Sequence, residues 1–228
     1  MTVVYTAILV TCDSLKLAPN GADRCVCFVD NPDDYTSPNG WELVGHEYSG
    51  DPRREAWWLR CVAHELFPEA TRTVWIDASF TLTELPLLLR HAEGAKVAAL
   101  RHHARRSFVD EAAKLVEVGS ARAMDAKRQV TDYAKAGFVP SHLSISCIVV
   151  RDASEQARRF NATWHDQIVS YPCDNTQVSL DFSAWANGFH IQALKGTRHQ
   201  NPYATHDHLD HKKRRKPYQL PAMVAVNA

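Results

Sequence analysis

Residues 72–79 read Arg-Thr-Val-Trp-Ile-Asp-Ala-Ser. A short run rich in β-branched and aromatic residues ends at an aspartate, which is how a buried strand hands over to a polar loop. Just before it, His64-Glu-Leu-Phe-Pro68 closes a helical segment at proline, a residue that stops helices. Other apolar runs of the same kind lie at 3–10 (VVYTAILV), 25–29 (CVCFV), 95–100 (AKVAAL), 144–150 (SISCIVV) and near 189–194. Helical segments fall between them. Asp51-Pro52 is a cap followed by proline at the first helical position, and predicts a helix to about Leu66 with Trp58, Val62 and Leu66 as its inner stripe. A short helix is expected at 84–92, a long helical stretch at 109–136 and another helix at 175–186. Asp152-x-x-Glu155 has capping-box spacing, and Ala157, Phe160, Trp164 and Ile168 form the stripe of the helix that follows. Residues 31–50, rich in Pro, Asn, Asp and Gly, read as loop. Strands alternating with helices predict a three-layer α/β fold around a mostly parallel sheet.

The chain has 228 residues, 45% hydrophobic and 23% charged, so it can bury a core and is not disordered throughout. Lys+Arg and Asp+Glu are 26 each, which argues against a surface coated in basic charge for non-specific nucleic-acid binding. No apolar run reaches the length of a membrane span. The opening residues lack a basic leader and a cleavage site, so a cytoplasmic protein without membrane contact is expected. Six scattered cysteines suit a reduced protein, and Cys25-x-Cys27 has no second pair to complete a zinc site. The organisation expected is a domain over 1–195 and a His-rich, basic tail or lid over 196–228. That tail holds His199, His206, His208 and His211, then the run Lys212-Lys-Arg-Arg-Lys216 flanked by Tyr203 and Tyr218.

Ligands of open parallel sheets bind at the carboxyl ends of the strands. Asp30 and Asp77 end two strands there, and Arg101, His102 and His103 follow a third. An aspartate in such a place can meet Mg²⁺ or Mn²⁺, or merely cap the next turn. Arg53, Arg54, Arg60, Arg105 and Arg106 are phosphate-binding candidates or solvated helix faces. Asp174 is a catalytic carboxylate or a helix cap. No GxGxxG, GxxxxGK[ST] or GxSxG occurs, against dinucleotide-binding enzymes, P-loop enzymes and α/β-hydrolases.

In their order, several segments resemble the glycosyltransferase-like family that includes the plant TOD1 and MUCI70 proteins, and more broadly a GT-A glycosyltransferase. They are Tyr5-Thr-Ala-Ile8, Cys27-Phe-Val-Asp30, Asp51-Pro-Arg-Arg54 with Arg60, His64 and Phe67-Pro68, and Val74-Trp-Ile-Asp-Ala78. His103-x-x-Arg106 with Glu111, Gln129-x-x-x-Tyr133 with Gly137, Val149-Val-Arg151, Trp164, and Asp174 with Gln177-Val-Ser-Leu180 complete the set. The resemblance implies a three-layer GT-A-like, Rossmann-like sheet and transfer of a sugar from a nucleotide-sugar donor, a UDP- or GDP-sugar, to a hydroxyl. It implies Thr6 and Asp30 near base and ribose, Ser79 among the donor-binding residues, and Asp77 holding Mn²⁺ or Mg²⁺ at the diphosphate. A C-terminal histidine such as His206 or His208 completes the metal site. Arg54, Arg60 and Arg106 add positive charge, and Asp174, Gln177 and His103 are the catalytic group. Arg60 stands where the family usually has lysine, Asp174-Asn-Thr-Gln177 replaces Arg-Asp-Gln, and Asp77-Ala-Ser79 keeps one carboxylate of a DxD motif. The acceptor expectation includes a hydroxymethylated base in phage-type DNA. The alternative is a non-catalytic protein of this fold that binds nucleotides or nucleic acid. The sequence leaves the oligomeric state and the stereochemical outcome open.

Overall fold

A computed structural model describes residues 1–9, 14–48, 50–140, 142–171 and 176–206. The strands are β1 (Thr2–Ile8), β2 (Arg24–Val29), β3 (Glu42–Gly45), β4 (Arg72–Ile76), β5 (Phe80–Leu82), β6 (Val97–Arg101), β7 (Ser144–Asp152), β8 (Gln192–Leu194) and β9 (Ala204–His206). The helices are α1 (Pro52–Cys61), α2 (Ala63–Leu66), α3 (Leu85–His91), α4 (Phe108–Glu117), α5 (Ala123–Lys135), α6 (Glu155–Ser170) and α7 (Gln177–Ala186). Seven strands form one sheet in the order β3-β2-β1-β4-β7-β6-β8, and β5 pairs with β9 in a two-stranded ribbon. β7 runs antiparallel to both β4 and β6, while the other pairings of the large sheet are parallel. The expected mostly parallel α/β sheet is therefore present.

Alternation along the strands divides the core between the two faces. Val4, Val74, Ile76, Ile148 and Val150 pack on one side with α3 and the β5–β9 ribbon. Val3, Tyr5, Trp75, Val149, Phe160 and Trp164 pack on the other, beneath α1, α2, α6 and α7. A smaller cluster built on Phe108, Tyr133 and Phe138 joins α4, α5 and α7.

Several local expectations are corrected. Residues 31–50 hold the edge strand β3, which pairs with β2 through Leu43 and Val44. The helix expected to Leu66 breaks at Val62, where φ is −92° and ψ 27°. The expected stripe still faces the core, with Val62 buried and Trp58 and Leu66 packed half-buried against it, but α1 buries Trp57, Leu59, Arg60 and Cys61 more deeply, and Trp58 also stacks on His46. The stretch 109–136 divides at Gly119, whose φ of +73° ends α4. Ser154, not Asp152, caps α6: its hydroxyl accepts from the Ala157 amide, and Asp152 orients that hydroxyl by accepting from it. Cys25, Cys27, Cys61 and Cys147 are free thiols.

Beyond residue 195 the chain continues onto the body. Tyr203 is buried, its carbonyl accepting from the Thr83 and Glu84 amides and its hydroxyl accepting from the Lys195 amide. Its ring is therefore not exposed for contact with phosphates. Gly196 has φ +92°, and a Cβ there would run into the Gln200 carbonyl, so this turn requires glycine. The basic run 212–216, Asp174, His208, His211 and Tyr218 lie outside the described residues.

Candidate functional site

Asp77 follows β4 by one position and shares the face of Trp75, because side chains two apart point the same way. That face lies under α1. The Asp77 amide donates to the Cys147 carbonyl, and its carbonyl accepts from the Phe80 amide to form a turn. Its Oδ1 accepts from Nη2 of Arg60 at 2.7 Å and from Nε1 of Trp75 at 2.8 Å. The carboxyl group is thus held by one oxygen, with 28% of the side chain exposed. Oδ2 makes no hydrogen bond among the described residues. Ser79 is buried in the same turn.

Thr6, at the end of β1, is buried and its hydroxyl has no hydrogen-bond partner among the described residues. It lines a small cavity with Ile8, Leu15, Trp41, Ile76 and Phe80. Trp41 is fixed there by donating from Nε1 to the Lys16 carbonyl at 2.9 Å. Asp30 stands half-buried just past β2. This corner is mostly apolar, with the Thr6 hydroxyl in it and Lys16 also lining it.

At the end of β6 a row of imidazoles leads back toward Asp77. His102 stacks on His103 with centroids 4.8 Å apart, His103 meets His199 at 5.0 Å, and His199 meets His206 at 5.6 Å. His206 stacks on Phe80 at 4.2 Å. Arg198 sits beside this row, its Nη2 3.2 Å from Nε2 of His206. Arg198 was not picked out from the sequence; its signal there was Gly196-Thr-Arg198-His199, a glycine turn followed by a cation. The Cys147 thiol registers the convergence: burial, then the Asp77 charge, pushes it up to about 12 against the opposing pull of Arg198 and Arg60.

Burial, then the neighbouring Arg105, His103, Arg198 and His199 side chains, push His102 down to about 4. Its Nδ1 accepts from the Ala104 and Arg105 amides at 3.1 and 2.9 Å, which requires that nitrogen to be unprotonated. The folded protein therefore keeps His102 neutral, while the unfolded chain gains a proton below about pH 6.5. Stability from this group is present at neutral pH and is lost as pH falls from about 6.5 toward 4. His102→Asn keeps a side-chain acceptor for the turn without titrating. Its melting temperature is expected to fall less between pH 7 and pH 5 than that of the wild type, as followed by circular dichroism.

The remaining sequence candidates divide. Gln177 is buried and donates from Nε2 to Oε1 of Glu111 at 2.9 Å. Glu111 is buried and also accepts from Nε of Arg105, so this amide helps secure a carboxylate between α4 and α7. His103 is exposed in the imidazole row. Arg54 and Arg106 are exposed, Arg54 on the first turn of α1 and Arg106 with its amide donating to Asp110. Ser146 and Thr176, which contact Arg60, gave no sequence signal because lone hydroxyl residues are common everywhere.

Among the described residues no group of three His, Cys, Asp or Glu side chains is arranged to hold a metal ion. The donor set still fits a divalent ion of the kind that takes one protein carboxylate and completes its shell with phosphate oxygens, because Asp77 is fixed by one oxygen and keeps the other. Nε2 of His206 faces a guanidinium, which opposes a cation at that nitrogen.

A twisted α/β sheet with an acidic and cationic corner at its strand ends is the class of fold seen in glycosyltransferases. The apo structure of the bifunctional glycosyltransferase WbbM superimposes with a TM-score of 0.52 at 13% identity, covering 85% of this chain and 38% of that one. That likeness concerns the fold. The sequence matches the TOD1/MUCI70 glycosyltransferase-like domain over residues 41–189, more than half of the chain, and the protein belongs to that family. No curated protein matches it. No helix among the described residues is long and apolar enough to cross a membrane.

Proposed function

We propose that the protein transfers a sugar from a UDP- or GDP-sugar to a hydroxyl group, with Asp77 at the donor diphosphate. The observation that carries this reading is the tethered Asp77 carboxylate at the strand ends of a glycosyltransferase-like domain, between Ile76 and Ala78 of the Thr6 cavity and acting with Arg198 on the Cys147 thiol. A base at this corner would lie against the Trp41 indole and pair with the Thr6 hydroxyl once the cavity, about 10 Å³ as it stands, opens to admit it. Arg198 supplies charge-assisted donors for phosphate oxygens. A divalent ion held by Asp77 would add Lewis-acid stabilisation to the leaving diphosphate. Asp174 is assigned to the reacting centre, as base in an inverting reaction or as stabiliser of the cationic sugar in a retaining one. His103 lies in the exposed imidazole row, where an acceptor would approach. The acceptor class we assign first is a hydroxymethylated DNA base, with phosphate contacts supplied by the basic sequence 212–216, and the reaction is assigned to the cytoplasm.

The test is a thermal-shift screen of nucleotides and nucleotide sugars, with and without Mn²⁺. A ligand at a hundred times its dissociation constant stabilises by about 2.7 kcal/mol. For a chain of this size that corresponds to a shift of about 5–10 °C. One nucleoside diphosphate series shifting the melt names the base. The hit is then incubated with hydroxymethylated and ordinary DNA, and with free glycans, and sugar transfer is scored by mass. Absence of any shift across the whole panel would leave the non-catalytic alternative standing.

A further inference from the structure

Arg60 was assigned from the sequence to the donor phosphates, but its surroundings give it another task. Its side chain is 11% exposed, and its guanidinium carbon lies 4.9 Å from the centroid of the Trp75 ring. Nη2 donates to Asp77, and Nη1 donates to the hydroxyls of Ser146 and Thr176, each at 2.9 Å. Those two hydroxyls lie 2.9 Å from each other. One planar fork thus joins the end of β4, the interior of β7 and Thr176, the first described residue after Asp174. An ammonium group, a single point charge, cannot span three such partners in one plane.

The backbone of Arg60 is fixed as firmly. Its carbonyl accepts from the Tyr5 hydroxyl at 2.9 Å and from Nη2 of Arg151 at 2.7 Å, and Nη1 of Arg151 donates to Tyr5. Tyr5 and Arg151 are buried. α1 ends one residue later, where its last carbonyls have no helical partner and a cation is favoured by the helix dipole. Thr176 is secured independently, its carbonyl accepting from Nε1 of Trp164 at 2.9 Å.

We propose that Arg60 is a positioning residue, which holds the Asp77 carboxylate and Thr176, at the start of α7, in one fixed relation and does not bind the donor phosphates itself. The proposal rests on the reading of Asp77 as the donor-site carboxylate. It makes Asp77 and Thr176 a single mechanical unit, so that disturbing the chain at Thr176 is felt at Asp77.

The test has a ligand-free arm and a kinetic arm. The indole N–H signal of Trp75, assigned by its loss in Trp75→Phe, reports the Asp77 carboxylate with no substrate present. Thr176→Val is expected to shift that signal and Thr176→Ser to restore it; an unmoved signal in Thr176→Val overturns the proposal even if no donor is ever found. With a donor in hand, Arg60→Lys and Thr176→Val should each lower kcat about 10- to 100-fold while donor Kd changes less than about threefold. The double variant should be little worse than Arg60→Lys alone. Donor affinity collapsing in Arg60→Lys but unaffected in Thr176→Val, with additive effects, would return Arg60 to the phosphates. Wild-type protein that binds no donor, with the Trp75 signal coupled to Thr176, would sink the functional reading while sparing the positioning one.

Discussion

Asp77→Asn is expected to lower sugar transfer by about 10²- to 10³-fold, the range found when one preorganised electrostatic group is removed from a site. The substitution is chosen because it changes charge more than shape. An asparagine Oδ1 can still accept from Arg60 and Trp75, so the side chain keeps its place. The negative charge that attracts a divalent ion or balances the surrounding cations is gone. Arg60, nearly buried, then loses its counter-charge, and breaking a buried pair by removing one partner is costly. Because Asp77 is partly open to water, the stability cost is set at about 2 kcal/mol, a fall of about 4–8 °C in melting temperature for this size. Transfer rate and a circular-dichroism melt measured together decide the matter. A rate near that of the wild type with the expected thermal loss would leave Asp77 with a structural role only.

The residues that made this site findable are those whose chemistry and position are both local in sequence. Val74-Trp-Ile-Asp77 shows its strand, its end and its carboxylate within four residues, and the structure keeps that order. The direction of β7 was not legible, because Ser144–Asp152 is buried at nearly every position and a fully buried strand carries no mark of its orientation. β3 was hidden for the opposite reason: its four residues are half-exposed, lie among turn-formers, and form a strand only through pairing with β2. The ribbon of β5 with β9 joins segments more than a hundred residues apart, beyond any periodicity. The task of Arg60 is of the same kind. Its helix position was plain, but Ser146 and Thr176 are brought to it only by folding. Arg54 shows the converse: a motif neighbour of the same chemistry that the helix turns out to solvent.

Trp164→Ala is expected to have the largest effect on stability, about 3–5 kcal/mol, typical of emptying a buried aromatic site. Trp164 is fully buried on α6, its ring 5.6 Å from that of Phe160, and the Arg151 guanidinium lies 5.7 Å from its centroid. Removing it opens a cavity and strips the aromatic face from a buried cation. A fall of about 10 °C in melting temperature is the expected reading, within the range set by chain length. The same indole donates to the Thr176 carbonyl, so its loss also acts on the site. Trp164→Phe separates the two contributions. Phenylalanine fills much of the space but offers no donor, so it is expected to cost only about 1–2 kcal/mol and leave the Thr176 carbonyl with the longer bond from the Ser179 hydroxyl, at 3.3 Å, in place of the indole. If the hold on Thr176 matters for chemistry, Trp164→Phe should reduce kcat several-fold at a temperature where the protein is fully folded, and should shift the Trp75 indole signal as Thr176→Val does. Loss of stability without either change would confine Trp164 to the core, and would leave the restraint on Thr176 to its hydroxyl's bonds with Arg60 and Ser146 and to the Ser179 hydroxyl at its carbonyl.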